Sequence, residues 1–176
     1  MANITNNDNI IDSRDVIANI DELECEITNY QDDIQEHGEQ AEEFEIEIEE
    51  LTDKFEVETD DAEISIIKNN KEAAERDVEE IKGLIALIMN DIGGIEEELN
   101  PIKEFADKAE NYSADWNRGA TLIREDYFYS HYAQELCEYE TGEIPSYIVI
   151  DWEATADNLL QDYTGIELNG VTYYIR

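Results

Sequence analysis

The sequence predicts a mostly α chain with a small α+β domain: an N-terminal antiparallel coiled-coil hairpin followed by a compact C-terminal domain with a β-hairpin. Three observations predict it. Apolar residues alternate in steps of four and three over two long stretches, a short polar break separates those stretches, and after Tyr112 the composition turns aromatic.

The first twelve residues are rich in Asn and Asp and are expected as a flexible N-terminus, 1–12. From there the seam runs Val16, Ile20, Leu23, Ile27, Tyr30, Ile34, His37, Ala41, Phe44, Ile48, Leu51, Phe55, which is the spacing of a coiled coil. A second series runs Ile64, Ile67, Lys71, Ala74, Val78, Ile81, Ile85, Ile88, Ile92, Ile95, Leu99, Ile102, and continues to Ala106 and Ala109. Two helices follow, 13–57 and 61–110, within an acidic hairpin domain spanning 13–111. Between them Glu58-Thr59-Asp60 breaks the series, and Asp60 with Glu63 predicts a capping box. Folding back at that break pairs Phe55 with Ile64, Leu51 with Ile67, Phe44 with Ala74, Ala41 with Val78 and His37 with Ile81, so that large residues meet small ones in two layers. A parallel dimer would stack Ala41, His37 and Lys71 on themselves, so the hairpin is preferred. Gly93-Gly94 and Pro101 fall inside the second series, and they predict a kink or break near 93–101.

The aromatic stretch predicts a separate domain, 112–176. Residues 125–140 read as a helix that stops before Gly142, Tyr147–Ile150 as a short strand, and Asp151 as the N-cap of a helix through about Leu160. Ile166–Leu168, Asn169-Gly170 and Val171–Ile175 read as a hairpin, because Asn-Gly is the favoured type I′ pair.

Charge dominates the composition. Over 176 residues the formal net charge is -36. At that value the chain repels itself, so the charge is either functional or a mark of disorder, and an apolar content of 41% with ten tyrosines argues against disorder. The same sign excludes direct binding to nucleic acid phosphates and to anionic membranes, which need Lys and Arg. A protein partner should therefore be basic. Residues 13–110 hold 33 acidic and 8 basic side chains. The densest part is Asp32, Asp33, Glu36, Glu39, Glu42, Glu43, Glu45, Glu47, Glu49 and Glu50, with no Lys or Arg among them before Lys54. Ordinary coiled coils mix Glu with Lys at the flanking positions, because like charges there cost a few tenths of a kcal/mol per pair. A helix of about 45 residues is ~68 Å long, so the hairpin carries roughly one net charge per ~3 Å, against one per ~1.7 Å for duplex DNA. These ten carboxylates are the candidate partner-binding residues. The expected partner is a basic channel built for DNA, entered by a rod that offers the same counterion release as phosphates do.

Other constellations are set aside. His37 and Lys71 on the seam are read as register devices. His131 lacks a second histidine or a cysteine pair nearby, and the acidic runs lack an EF-hand's alternation and central glycine, so no metal and no cofactor is expected. Cys25 and Cys137 have no partner motif and are expected as free thiols. Neither a phosphate-cradling glycine loop nor a nucleophile elbow is present, and the chain is expected not to be an enzyme. The start MANITNNDNIIDSRD has no basic and apolar leader, and no run is long enough to span a bilayer, which predicts a cytoplasmic protein.

Residues 119–176 contain the Tyr132-Ala133 helix, Pro145, Tyr-Ile-Val-Ile-Asp-Trp from Tyr147 to Trp152, Ala156, Leu159, Asp162 and a closing Gly170–Tyr174 strand. This third of the chain resembles the C-terminal domain of ArdA-type antirestriction proteins, most closely the phage proteins that join it to an N-terminal coiled coil. The resemblance implies an acidic DNA mimic acting in the host bacterial cytoplasm against type I restriction–modification enzymes, often as a dimer, here through residues 112–176. The first two domains of an ArdA protein and its central acidic motif have no counterpart here, so no functional residue is carried over. A CRISPR effector, which also holds nucleic acid in a basic channel, is the close variant. The alternative from another class is a coiled-coil scaffold or assembly protein whose C-terminal domain docks a partner or a second copy.

Overall fold

The computed structural model describes residues 4–142, 144–145 and 147–176. Two helices dominate: α1, Ser13–Val57, and α2, Asp61–Glu110. Both match the expected bounds, because local chemistry sets them. Asp60 Oδ1 accepts from the backbone N–H groups of Ala62 (2.8 Å) and Glu63 (3.3 Å), satisfying two donors at the start of α2. The reciprocal half of the expected capping box is supplied differently. Glu58, not Glu63, accepts from the Asp60 N–H at 2.9 Å, and also from Thr59 at 2.7 Å.

The chain divides into two compact units, one of residues up to Leu23 together with Glu97–Arg176, the other of Glu24–Glu96. The boundary expected at 112 therefore lies elsewhere: the last turns of α2 and the first of α1 belong with the C-terminal elements. Burial supplies the physical reason. Val16, Leu99, Ile102, Phe105 and Ala109 are all buried, and Phe105 meets Tyr173 edge to face at 5.8 Å between ring centroids. Each large apolar side chain so covered contributes about 1.5–3 kcal/mol.

In this first unit a four-stranded antiparallel sheet is ordered β1-β2-β4-β3, with β1 at Ile10–Asp12, β2 at Thr121–Arg124, β3 at Thr164–Leu168 and β4 at Val171–Ile175. β3 and β4 are the expected hairpin. Asn169 (φ 48°) and Gly170 (φ 81°) both take the left-handed conformation that a type I′ turn needs. β1 overturns the flexible N-terminus expected for 1–12, of which 1–3 lie outside the described residues. Ile10–Asp12 pairs with Thr121–Ile123. Ahead of it the carbonyls of Asn7, Asp8 and Asn9 accept hydrogen bonds from Arg124 Nη1 (2.7 Å), the Tyr173 hydroxyl (2.8 Å) and the Arg124 N–H (2.9 Å). A polar segment is thus ordered through its backbone.

A short helix α3, Trp116–Gly119, leads into β2. Ser13, fully buried, donates to the Trp116 carbonyl at 2.5 Å and accepts from the Ala120 N–H at 2.7 Å, closing the start of α1 onto this segment. Ser13→Ala should leave one buried carbonyl and one buried N–H without partners and cost about 1–3 kcal/mol. A urea midpoint unchanged from the parent chain would show that neither group needs the hydroxyl.

After β2 one helical stretch runs as α4, Glu125–Tyr127, a π-helical turn at Phe128–Tyr132, and α5, Ala133–Thr141, closed by Gly142 at φ 81°. Tyr147–Ile150 is not a strand. Ile148 donates to the Pro145 carbonyl, and Tyr147 and Val149 are 84% and 95% exposed; among the described residues no strand pairs with this β-prone run. Asp151 caps α6, Trp152–Leu159, as expected, accepting from the Ala154 N–H at 3.1 Å. A 3-10 turn, Leu160–Asp162, joins α6 to β3. The core between sheet and helices holds Ile123, Phe128, Ala133 and Ala156, ringed by Tyr127, Tyr129, Tyr132, Tyr163 and Tyr174.

The second unit is the antiparallel helical hairpin. Its buried residues Ala41, Leu51, Ala74, Val78 and Ile88 all lie on the two expected seams. Lys82 Nζ donates to Glu45 Oε1 at 2.9 Å, joining the helices. Of the kink or break expected near 93–101, the break does not occur: α2 is one continuous helix through Gly93-Gly94 and Pro101. Pro101 lacks one N–H bond, but Leu99, Ile102 and Phe105 around it are buried, and their packing offsets the loss.

Candidate partner-binding surface

On α1 the seam residues Ala41 and Leu51 are buried, and the positions between the seam residues are free for charge. All ten of Asp32, Asp33, Glu36, Glu39, Glu42, Glu43, Glu45, Glu47, Glu49 and Glu50 are exposed. At 1.5 Å per residue they occupy ~27 Å of helix, roughly one carboxylate per ~3 Å. Two of the ten have cations beside them among the described residues. Glu45 holds Lys82, whose ammonium is kept charged to higher pH by that hydrogen bond, and Glu50 lies 3.8 Å from Lys54. Glu39 accepts from the Gln35 amide at 2.9 Å. The rest face solvent in like-charged i,i+4 pairs such as Asp32–Glu36, Glu39–Glu43 and Glu43–Glu47, an arrangement that works against the helix by a few tenths of a kcal/mol per pair. Residues 24–96 hold 25 acidic and 5 basic side chains, so the whole unit carries this charge. At the tip the Glu58 carboxylate is held below its usual range by the Asp60 and Thr59 N–H groups, and Glu63 is pushed up by its hydrogen bond with Glu58 and by that neighbouring charge.

The residues set aside from sequence fall as follows. His37 is half-buried on the seam, its Nδ1 without a hydrogen-bond partner among the described residues. Lys71 is half-buried. His131 stacks flat on Tyr127 at 5.2 Å, and its Nδ1 lies 2.7 Å from the Ser130 hydroxyl. Cys25 is exposed and Cys137 half-buried, both as free thiols. In the aromatic core Tyr129 donates to Asp157 at 2.8 Å and Tyr174 to Glu125 at 2.9 Å. Burial pushes the Tyr173 and Tyr174 hydroxyls up to about 12, so both are neutral donors at ordinary pH. The Tyr129 and Tyr174 bonds tie the core to surface carboxylates and the Tyr173 bond ties it to the Asp8 carbonyl, which is a structural role.

Sequence reading missed the exposed apolar residues. Tyr139, Tyr147 and Val149 stand out near the α5–α6 connection, and Leu84, Leu87 and Met89 on α2. The second group carried a signal, since residues 83–95 contain one charged side chain, Asp91.

The fold and surface together define a helical hairpin with a dense outward carboxylate array and a small α+β unit. Comparison with protein-family models, with curated proteins and with solved structures finds no match to this chain. No helix among the described residues is long and apolar enough to cross a membrane.

Proposed function

We propose that the chain is a phage-type acidic DNA mimic that inhibits a host DNA-binding defence enzyme, without catalysis of its own, in the bacterial cytoplasm. The observation that carries this reading is the array on α1: ten exposed carboxylates along one rigid element, mostly without cations to neutralise them. A solvated face kept for solubility would gain from mixed charges. This one forgoes them at a cost in helix stability, which a cationic partner would offset. A stiff helix also loses little freedom on docking.

The enzyme's channel gains affinity by releasing counterions, and closely spaced carboxylates release them as phosphates do. The leading target is a type I restriction–modification enzyme, to which the resemblance of residues 119–176 points. An anti-CRISPR role uses the same surface in the same way. The purified chain should displace duplex DNA from such a complex in a gel shift. With about six contacts, its apparent affinity should fall on the order of 10³-fold between roughly 50 and 200 mM salt. No displacement across a panel of restriction and CRISPR complexes, at any salt, would sink the proposal.

A second reading has its own observation. Tyr139, Tyr147 and Val149 are almost fully exposed, as befits a scaffold or assembly protein that docks a partner, or dimerises, through residues 112–176. Under it, association survives neutralisation of α1 and is lost on Tyr147→Ser with Val149→Ser.

A further inference from the structure

Residues 83–95 of α2 read GLIALIMNDIGGI, with Asp91 the single charge, in a chain of net charge -36. Ile88 is buried on the seam, with Ile85 and Ile92 half-buried beside it. The other faces are not covered: Leu84, Leu87 and Met89 are 41%, 65% and 61% exposed. Gly83, Leu87, Asn90 and Gly94 follow steps of four, three and four, the spacing of a seam, and all four are exposed. This part of α2 thus carries a second, short seam on its outer side.

Its glycines sharpen the point. In a helix interior each is worth about 1 kcal/mol less than alanine. A Cβ added at Gly83 or Gly94 would meet nothing within 4 Å, so no contact inside the chain calls for glycine at either place.

We infer that this outer face of α2 docks the same face of a second copy of the chain, helix against helix, with Leu87 at the centre and Gly83 and Gly94 letting the two backbones approach. Charge selects the occupant. A basic partner is drawn to carboxylate-rich faces, where contacts release counterions, and this stretch offers almost none. For a second copy the preference reverses, since two such anionic chains repel least where each surface carries a single carboxylate, here Asp91 one turn from Leu87. A self-complementary patch is what a two-fold dimer uses. One helix face buries less than the ~1,000 Å² of a stable interface, so the dimer is weak and fills at high protein concentration.

The inference is independent of the DNA-mimic reading, and salt separates the two. Screening shortens the Debye length from ~10 Å at 0.1 M to ~3 Å at 1 M, so added salt strengthens the dimer while it weakens attachment to a cationic channel. Sedimentation equilibrium on the full chain should show the mass rising from 20.3 kDa towards twice that value with protein concentration, more completely in high salt. Leu87→Glu places like charges face to face and should abolish the rise. Gly83→Ala with Gly94→Ala should raise the melting temperature of the helix signal yet weaken association at least about tenfold, because the added methyl groups hold the backbones apart. A mass of 20.3 kDa at every salt and concentration overturns the inference. So does association that weakens with salt, or a dimer indifferent to both variants, which would place self-association elsewhere.

Discussion

Changing Asp32, Asp33, Glu36, Glu39, Glu42, Glu43, Glu47 and Glu49 to Asn or Gln is expected to abolish displacement of duplex DNA while the helical signal persists. Glu45 and Glu50 are left in place because each has a cation beside it. For a partner that contacts about six of these carboxylates, the loss should be on the order of 10³-fold at low salt, comparable to the loss of as many phosphate contacts. The residual affinity should also lose its steep salt dependence. Stability should move the other way. All eight are exposed, and several form like-charged i,i+4 pairs, so neutralisation removes repulsion without opening the seam. A more stable protein that no longer inhibits is the signature of charge kept for a partner. Competition at the parent level by the neutralised chain would place the active surface outside α1.

Phe128→Ala should have the largest effect on the first unit. Phe128 is fully buried on the π-helical turn, with the rings of Tyr132, Tyr163 and Tyr174 at 5.4, 5.1 and 5.5 Å between centroids. Truncation removes the ring and leaves a cavity that its neighbours close only partly, at a cost of about 3–5 kcal/mol. That is a large share of the ~5–15 kcal/mol by which domains are ordinarily stable. The near-ultraviolet circular dichroism of the tyrosines should collapse at a urea concentration far below that of the parent. A shift in stability under ~1 kcal/mol would mean that the cluster closes over the gap, contrary to the close packing of protein cores.

The π-helical turn and the tyrosine ring around Phe128 were not legible as such in the sequence. Residues 125–140 show a helix, but which hydrogen-bond pattern it takes depends on fitting Phe128 and Ala133 into one core with Ile123 and with Ala156, Tyr163 and Tyr174 from further along the chain. The candidate surface was more legible. Exposure of ten acidic residues follows from their absence from the seam, which spacing alone reveals. The outer face of α2 escaped notice because Leu84, Leu87 and Met89 lie within an apolar run where every residue looks like core.

Periodicity and caps, read along the chain, determined the two helices, the turn between them, the Asn-Gly hairpin and the outward carboxylate array. Each is specified by residues within a few positions of one another, and backbone bonds inside a helix or a tight turn need no distant partner. The tertiary structure alone decided that the polar N-terminus supplies an edge strand and that Tyr147–Ile150 does not form one. It also joined Glu45 to Lys82 and carried α2 without a break through Pro101. A strand of three residues and a proline inside a helix are both settled by contacts with remote groups, and those partners appear only once the chain has folded.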